Sequence, residues 1–167
     1  KSEPWMFTAK HAETPLFRLR MDGKGFFSSM YDKILRKELI EKGKRGNQLQ
    51  AFKDTPKQWD AWDIDADFER QHLELFELKK QQVLETGPLR AVVRNTYVTR
   101  NGSNLVQDVA FFHKRPQIVF ATKVRWKEKQ TLLKTAFSLN VKSTPATYET
   151  QFGVISRSTR HKSDLEA

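Results

Sequence analysis

An antiparallel β-sandwich, mainly β with few or no helices, is the fold class this sequence predicts, and three observations carry it. The second half alternates apolar and polar residues with a period of two, an Asn-Gly pair stands between two such runs, and the connectors are short turns marked by Gly or Pro. Regular short strands joined by turns, with no helix-length link, pack as two antiparallel layers. At 167 residues the chain suits one domain, and 38% hydrophobic content with twelve Phe and four Trp can fill a core.

Residues 1–15 read as a lead-in linker, 16–157 as the sandwich, and 158–167 as a truncated or frayed tail. LFRLRM, a turn at Asp22-Gly23 and GFFSSMYDK make a hairpin, and NQLQAF makes another strand. The segment 68–86, FERQHLELFELKKQQVLET, has helix-favouring residue types but no clean period. A strand is expected there, because its neighbours are strands and Gly87-Pro88 closes it. LRAVVRNTYVTR then sets Leu89, Ala91 and Val93 against Arg90, Arg94 and Arg100. Asn101-Gly102 turns the chain into NLVQDVAFF, since both residues accept positive φ. After Pro116, QIVFATKVRW puts Ile118, Phe120, Val124 and Trp126 on one face, with Lys123, Arg125 and Lys127 on or beside the other. TLLKTAFSLNV keeps Leu133, Phe137, Leu139 and Val141 in register. Pro145 precedes one last strand, ATYETQFGVI, with Tyr148, Phe152 and Val154 inward.

Charge and composition narrow the function. The net charge of +10 invites a polyanion partner, but the densest basic cluster, Lys33 to Arg45, is interrupted by Glu38 and Glu41. Most other basic residues sit on alternate strand positions, as on a solvated face, so no nucleic-acid partner is expected. No apolar run reaches the roughly 18 residues of a membrane span, so no membrane partner is expected either. KSEPWMFTAK has no apolar signal region, and a cytoplasmic location is expected. The absence of cysteine excludes a disulfide framework, a thiolate zinc site and a thiol nucleophile. His11, His72, His113 and His161 are scattered singly, without the spacing of a zinc motif.

One stretch invites chemistry: WDAWDIDADF, residues 59–68. Asp63, Asp65, Asp67 and Glu74 match positions one, three, five and twelve of a calcium loop, but position six is Phe68 where a sharp turn needs glycine. Asp60 with Asp63, or Asp63 with Asp65, offers a carboxylate pair, a spacing that any acidic strand provides. Trp59 and Trp62 offer a stacking platform for sugar rings. Against these stands a structural reading, in which the tryptophans pack inward and the aspartates accept backbone N–H bonds that pin a crossover. The candidate substrate-binding residues are therefore Trp59, Trp62, Asp60 and Asp63, and no catalytic or metal-binding residue is assigned.

GNQLQAF at 46–52, WDAWDID at 59–65, TGPLR at 86–90, KVRWKEKQTLLKTAFSLNV at 123–141 and ATYETQFGVISR at 146–157 occur in order, preceded by GFFSSMYDK at 25–33. Together they resemble the central β-sandwich region of the α-mannosidases of glycoside hydrolase family 38. WDAWD, W-x-E-x-x-x-x-L-K and ATYE-x-QFG mark the cytosolic and bacterial branch. The chain departs at Ser138, where the family commonly has proline, and at Arg157-Ser158-Thr159-Arg160, where it commonly reads R-P-T-H. The resemblance implies a portion of a galactose-mutarotase-like supersandwich within a multidomain, retaining, zinc-dependent hydrolase. In such enzymes zinc helps bind the terminal mannose, an aspartate forms the glycosyl intermediate and a second carboxylic acid protonates the leaving oxygen. The zinc and nucleophile motifs have no match here, so no cofactor is expected in this fragment. Its expected partners are the catalytic and helical domains of the same parent chain, with a mannose-containing oligosaccharide reached through the parent. The expected role of the stretch at 59–65 is a buried or interface corner.

Overall fold

A computed structural model describes residues 4–60 and 62–159. In chain order the strands are β1 (Met6–Phe7), β2 (His11–Glu13), β3 (Phe17–Met21), β4 (Phe27–Asp32), β5 (Lys37–Glu38), β6 (Gln48–Lys53) and β7 (His72–Leu73). They continue as β8 (Glu77–Thr86), β9 (Arg90–Val98), β10 (Asn104–Phe112), β11 (Ile118–Arg125), β12 (Thr131–Ala136), β13 (Pro145–Thr150) and β14 (Gly153–Ser158). Every pairing between them is antiparallel, and the one helical piece among the described residues is a 3-10 turn at Phe68–Gln71.

The fold is a mainly β antiparallel sandwich. One layer is the meander β1-β2-β3-β4-β5 and the other is β11-β10-β9-β8. Ala12, Phe17, Leu19, Met21 and Phe27 from the first layer meet Val93, Val109 and Phe111 from the second. The period-two pattern explains this seam. On β3 the residues Phe17, Leu19 and Met21 are buried while Arg18 and Arg20 are exposed, and β10 buries Leu105, Gln107, Val109 and Phe111. A second cluster joins Phe26, Leu49, Tyr97 and Leu105, supported by Phe76, Leu78 and Leu133, where the smaller sheet β12-β6-β7 abuts.

The interior also has a polar layer. Asn47 donates to the Gln107 amide oxygen at 2.7 Å and accepts from the Gln107 amide nitrogen at 3.2 Å. Tyr97 Oη donates to the Lys24 carbonyl at 3.1 Å, and burial, with the Asp22 carboxylate nearby, pushes its phenol pKa up. Gly25 makes room for this at φ +76°; a Cβ there would lie 2.7 Å from Tyr97 Oη.

Four expectations are corrected. Residues 1–15 are not all linker: β1 and β2 extend the first layer, Trp5 Nε1 donates to the Gly87 carbonyl at 3.0 Å, and Phe7 lies on Phe111 at 5.6 Å. Thr14 Oγ1 accepts the N–H groups of Leu16 and Phe17 and so turns β2 into β3. The segment ATYETQFGVI is two strands, not one, because the chain reverses at Gln151-Phe152 with Phe152 at φ +64°. Tyr148, Phe152 and Val154 consequently stand in solvent rather than inward. Leu89 is exposed as well, since the Gly87-Pro88 turn is closed by the Arg90–Glu85 ion pair and β9 begins after Leu89. The expected tail at 158–167 begins inside β14 at Ser158, and Thr159 Oγ1 donates to the Ser143 carbonyl; residues 160–167 lie outside the described residues.

Candidate functional site

The acidic stretch lies between β6 and the 3-10 turn. Trp59 takes φ +57°, unusual for a bulky side chain, and its carbonyl accepts the N–H groups of Trp62 (2.8 Å) and Asp63 (3.0 Å). Asp63 Oδ1 accepts the Ile64 N–H at 3.0 Å, and Asp65 Oδ1 accepts the Lys57 N–H at 3.5 Å. The aspartates thus tie down the backbone as the structural reading expects. The tryptophans do not pack inward: Trp59 is 74% exposed and Trp62 91%. The reason is the company they keep. Sinking the loop would desolvate Asp60, Asp63, Asp65 and Asp67 together, a cost that two indoles do not offset. The anchoring expected of the tryptophans falls to Phe68, whose ring meets Phe52 edge-on at 5.2 Å and carries Lys134 Nζ over its face at 4.3 Å.

Of the four candidates, Trp59, Trp62 and Asp63 line one open cleft of about 430 Å³, and Asp60 follows Trp59 at the turn. Two exposed indoles and a carboxylate have the chemistry to stack on a sugar ring and accept from its hydroxyls. The calcium arrangement does not assemble, because Glu74 turns to Lys24 (3.2 Å) and His72 (3.9 Å). Among the described residues no three His, Asp or Glu side chains converge on a common point.

A second polar centre was not foreseen. Glu128 accepts from Thr99 Oγ1, from Asn101 Nδ2 and from Ser103 Oγ, while Ser103 Oγ accepts the Lys127 N–H at 2.9 Å. The hydrogen bond from Thr99, with those from Asn101 and Ser103, holds the Glu128 carboxyl below its ordinary 4.5. This knot clips the β9–β10 turn to the segment after β11, and it borders a groove of about 540 Å³ shared with Leu73, Glu74 and Thr131. A carboxylate held by three donors is kept ionised and is a poor proton donor, so the knot is structural. Its sequence signal was the Trp126-x-Glu128 spacing within the resemblance; the three donors on the preceding turn gave none.

Residues 12–167 match the model of the glycosyl hydrolases family 38 C-terminal domain. Alpha-mannosidase 2C1 of Mus musculus and of Homo sapiens are each 33% identical over 152 residues, covering 90% of this chain and 15% of the relative. Alpha-mannosidase G of Dictyostelium discoideum is 33% identical over 155 residues, covering 85% of this chain and 13% of that protein. The chain therefore spans about a seventh of the length of these curated relatives.

Proposed function

The chain belongs to the C-terminal domain family of the family 38 glycosyl hydrolases, and from that premise we propose that it is a non-catalytic sandwich domain of a longer, zinc-dependent, retaining α-mannosidase. In this reading it packs against the catalytic and helical domains of the same parent chain and supports their hydrolysis of terminal α-mannosides from mannose-containing oligosaccharides. The parent works in the cytoplasm, as the resemblance to the cytosolic branch suggests. What carries the reading is the match of 90% of this chain to only 15% of each mammalian relative. Zinc supplies electrophilic help at the sugar elsewhere in the parent, and no residue of this chain is assigned to it. The test is hydrolysis of an aryl α-mannoside with added zinc. The full polypeptide is expected to turn over and the 167-residue chain alone is not; turnover by the chain alone overturns the reading.

A second reading is favoured by one observation, the exposure of both indoles beside Asp63. Here the loop binds carbohydrate directly, with Trp59 and Trp62 stacking on a pyranose and Asp63, with Asp60 at the turn, accepting from hydroxyls. Titration with mannose or mannobiose is expected to quench tryptophan fluorescence, and a flat titration removes this reading.

A further inference from the structure

The two edges of the four-stranded layer are built differently. At one edge, β8 is broken by register shifts at Leu78/Lys80 and at Val83/Glu85, and it carries Lys79 and Lys80. Bulges and lysines are how sheets keep another strand from adding. At the other edge, β11 pairs with β10 through eight consecutive partners, Ile118↔Phe111 to Arg125↔Asn104, with no shift. Its first five residues, Ile118–Thr122, carry no charge and are rich in strand formers. Among the described residues nothing pairs with its far side.

Apolar side chains on both faces of this edge are part-exposed. Val119 is 37% exposed and Val124 44%. Phe120 reaches the first layer, with its ring 5.8 Å from Phe27 and 5.5 Å from Phe137, yet Phe137 is itself 42% exposed. The seam between the layers is therefore apolar and open where β11 ends the sheet. An apolar edge of this kind, uncharged over Ile118–Thr122 and carrying Lys123 and Arg125 only at its far end, is an aggregation hazard along its first five residues unless it is covered.

We propose that a further β-strand of the parent polypeptide, from outside these 167 residues, pairs along Ile118–Arg125 and lays its apolar side over Phe120 and Phe137. The relatives' chains are roughly seven times longer than the matched part, so the occupant has ample source. The proposal rests on this chain being part of a longer polypeptide, and not on that polypeptide hydrolysing mannosides.

Hydrogen exchange read by mass spectrometry on the full polypeptide tests it. An edge strand directs about half of its N–H groups at its one neighbour, so an open β11 has about four slow amides among its eight residues. A strand seated on the far side makes nearly all eight slow, at every protein concentration. About four slow amides overturns the proposal. So does protection that disappears on dilution, which identifies a second copy as the occupant. Ala121→Pro and Val124→Pro give an independent reading, since three positions apart on a strand they delete amides that point to opposite sides. Both are expected to lower the melting temperature by several degrees, whereas an open edge predicts that only one does. Failure of the α-mannosidase reading shows separately, as absent turnover with the exchange pattern intact.

Discussion

Asn47 and Gln107, sixty positions apart in sequence, exchange two amide hydrogen bonds in the sandwich interior, and Thr122 Oγ1 accepts a further one from Gln107. Both amides are buried, and Asn47 sits at φ +50°, a conformation that Asn tolerates better than most residues. Removing Gln107 leaves the buried Asn47 amide without this partner, and removing Asn47 leaves the buried Gln107 with Thr122 alone. Asn47→Ala and Gln107→Met should each cost about 2–3 kcal/mol in denaturant unfolding. The double variant is expected to cost clearly less than their sum, because the second change removes a group already orphaned.

Gly25 and Tyr97 are coupled by contact. An alanine at position 25 faces both an unfavourable φ of +76° and a hydroxyl 2.7 Å away. Gly25→Ala should destabilise by roughly 2–4 kcal/mol, and Tyr97→Phe should recover part of that by removing the hydroxyl.

The buried Tyr97 phenol also predicts a response to alkali. Its pKa is raised above the ordinary 10.0, so the unfolded chain releases the proton first and stability falls as pH rises past that value. Between pH 9 and 11 the melting temperature of the native chain should drop more steeply than that of the Tyr97→Phe variant; equal slopes would remove Tyr97 as the cause.

Glu128 acts at the opposite end of the scale. Its pKa is lowered, so the unfolded chain takes up the proton first as pH falls below about 4.5. The stability contributed by the knot with Thr99, Asn101 and Ser103 is complete above that value and is lost as pH falls through the lower, folded pKa. Glu128→Gln should cost about 1–2 kcal/mol at neutral pH and flatten the acid limb of the stability profile.

At the acidic loop, stability and binding should separate. Trp62→Ala, at a side chain almost wholly in solvent, should change stability by no more than about 0.5 kcal/mol while abolishing any sugar-induced quench. Trp59→Gly should stabilise the chain by about 0.5–1 kcal/mol, since glycine accepts the φ of +57° without strain. A strained residue whose replacement improves the fold is being kept for something other than the fold.

The sequence was most legible where alternation ran long. β9 and β10, nine residues each, offer four or more periods, and Gly102 at φ +81° makes the turn that Asn101-Gly102 announces. β8 was legible from its context rather than its residues, because the closing turn at Gly87-Pro88 overrode helix-favouring side chains. β1 and β2, of two and three residues, are too short to show a period, and their fixing partners, Gly87 and Phe111, lie far along the chain. The β13–β14 turn was missed because Gln151-Phe152 has none of the usual turn chemistry. The position of the acidic loop was readable, but not which way its indoles face. Aromatic character argues for burial, and only the joint desolvation of its aspartates argues against it.

The bond from Trp5 to the Gly87 carbonyl, with the contacts of Phe7 on Phe111 and Trp5 on His113, has a consequence for synthesis. Those two aromatic rings leave the ribosome among the first residues of this segment, but their resting places are not made until about a hundred residues later. At a translation rate of about 5–20 residues per second, they wait roughly 5–20 s with nowhere to dock. During that interval the nascent chain offers a short greasy tag to whatever chaperone attends the exit tunnel. Its withdrawal marks the moment when the two layers have closed.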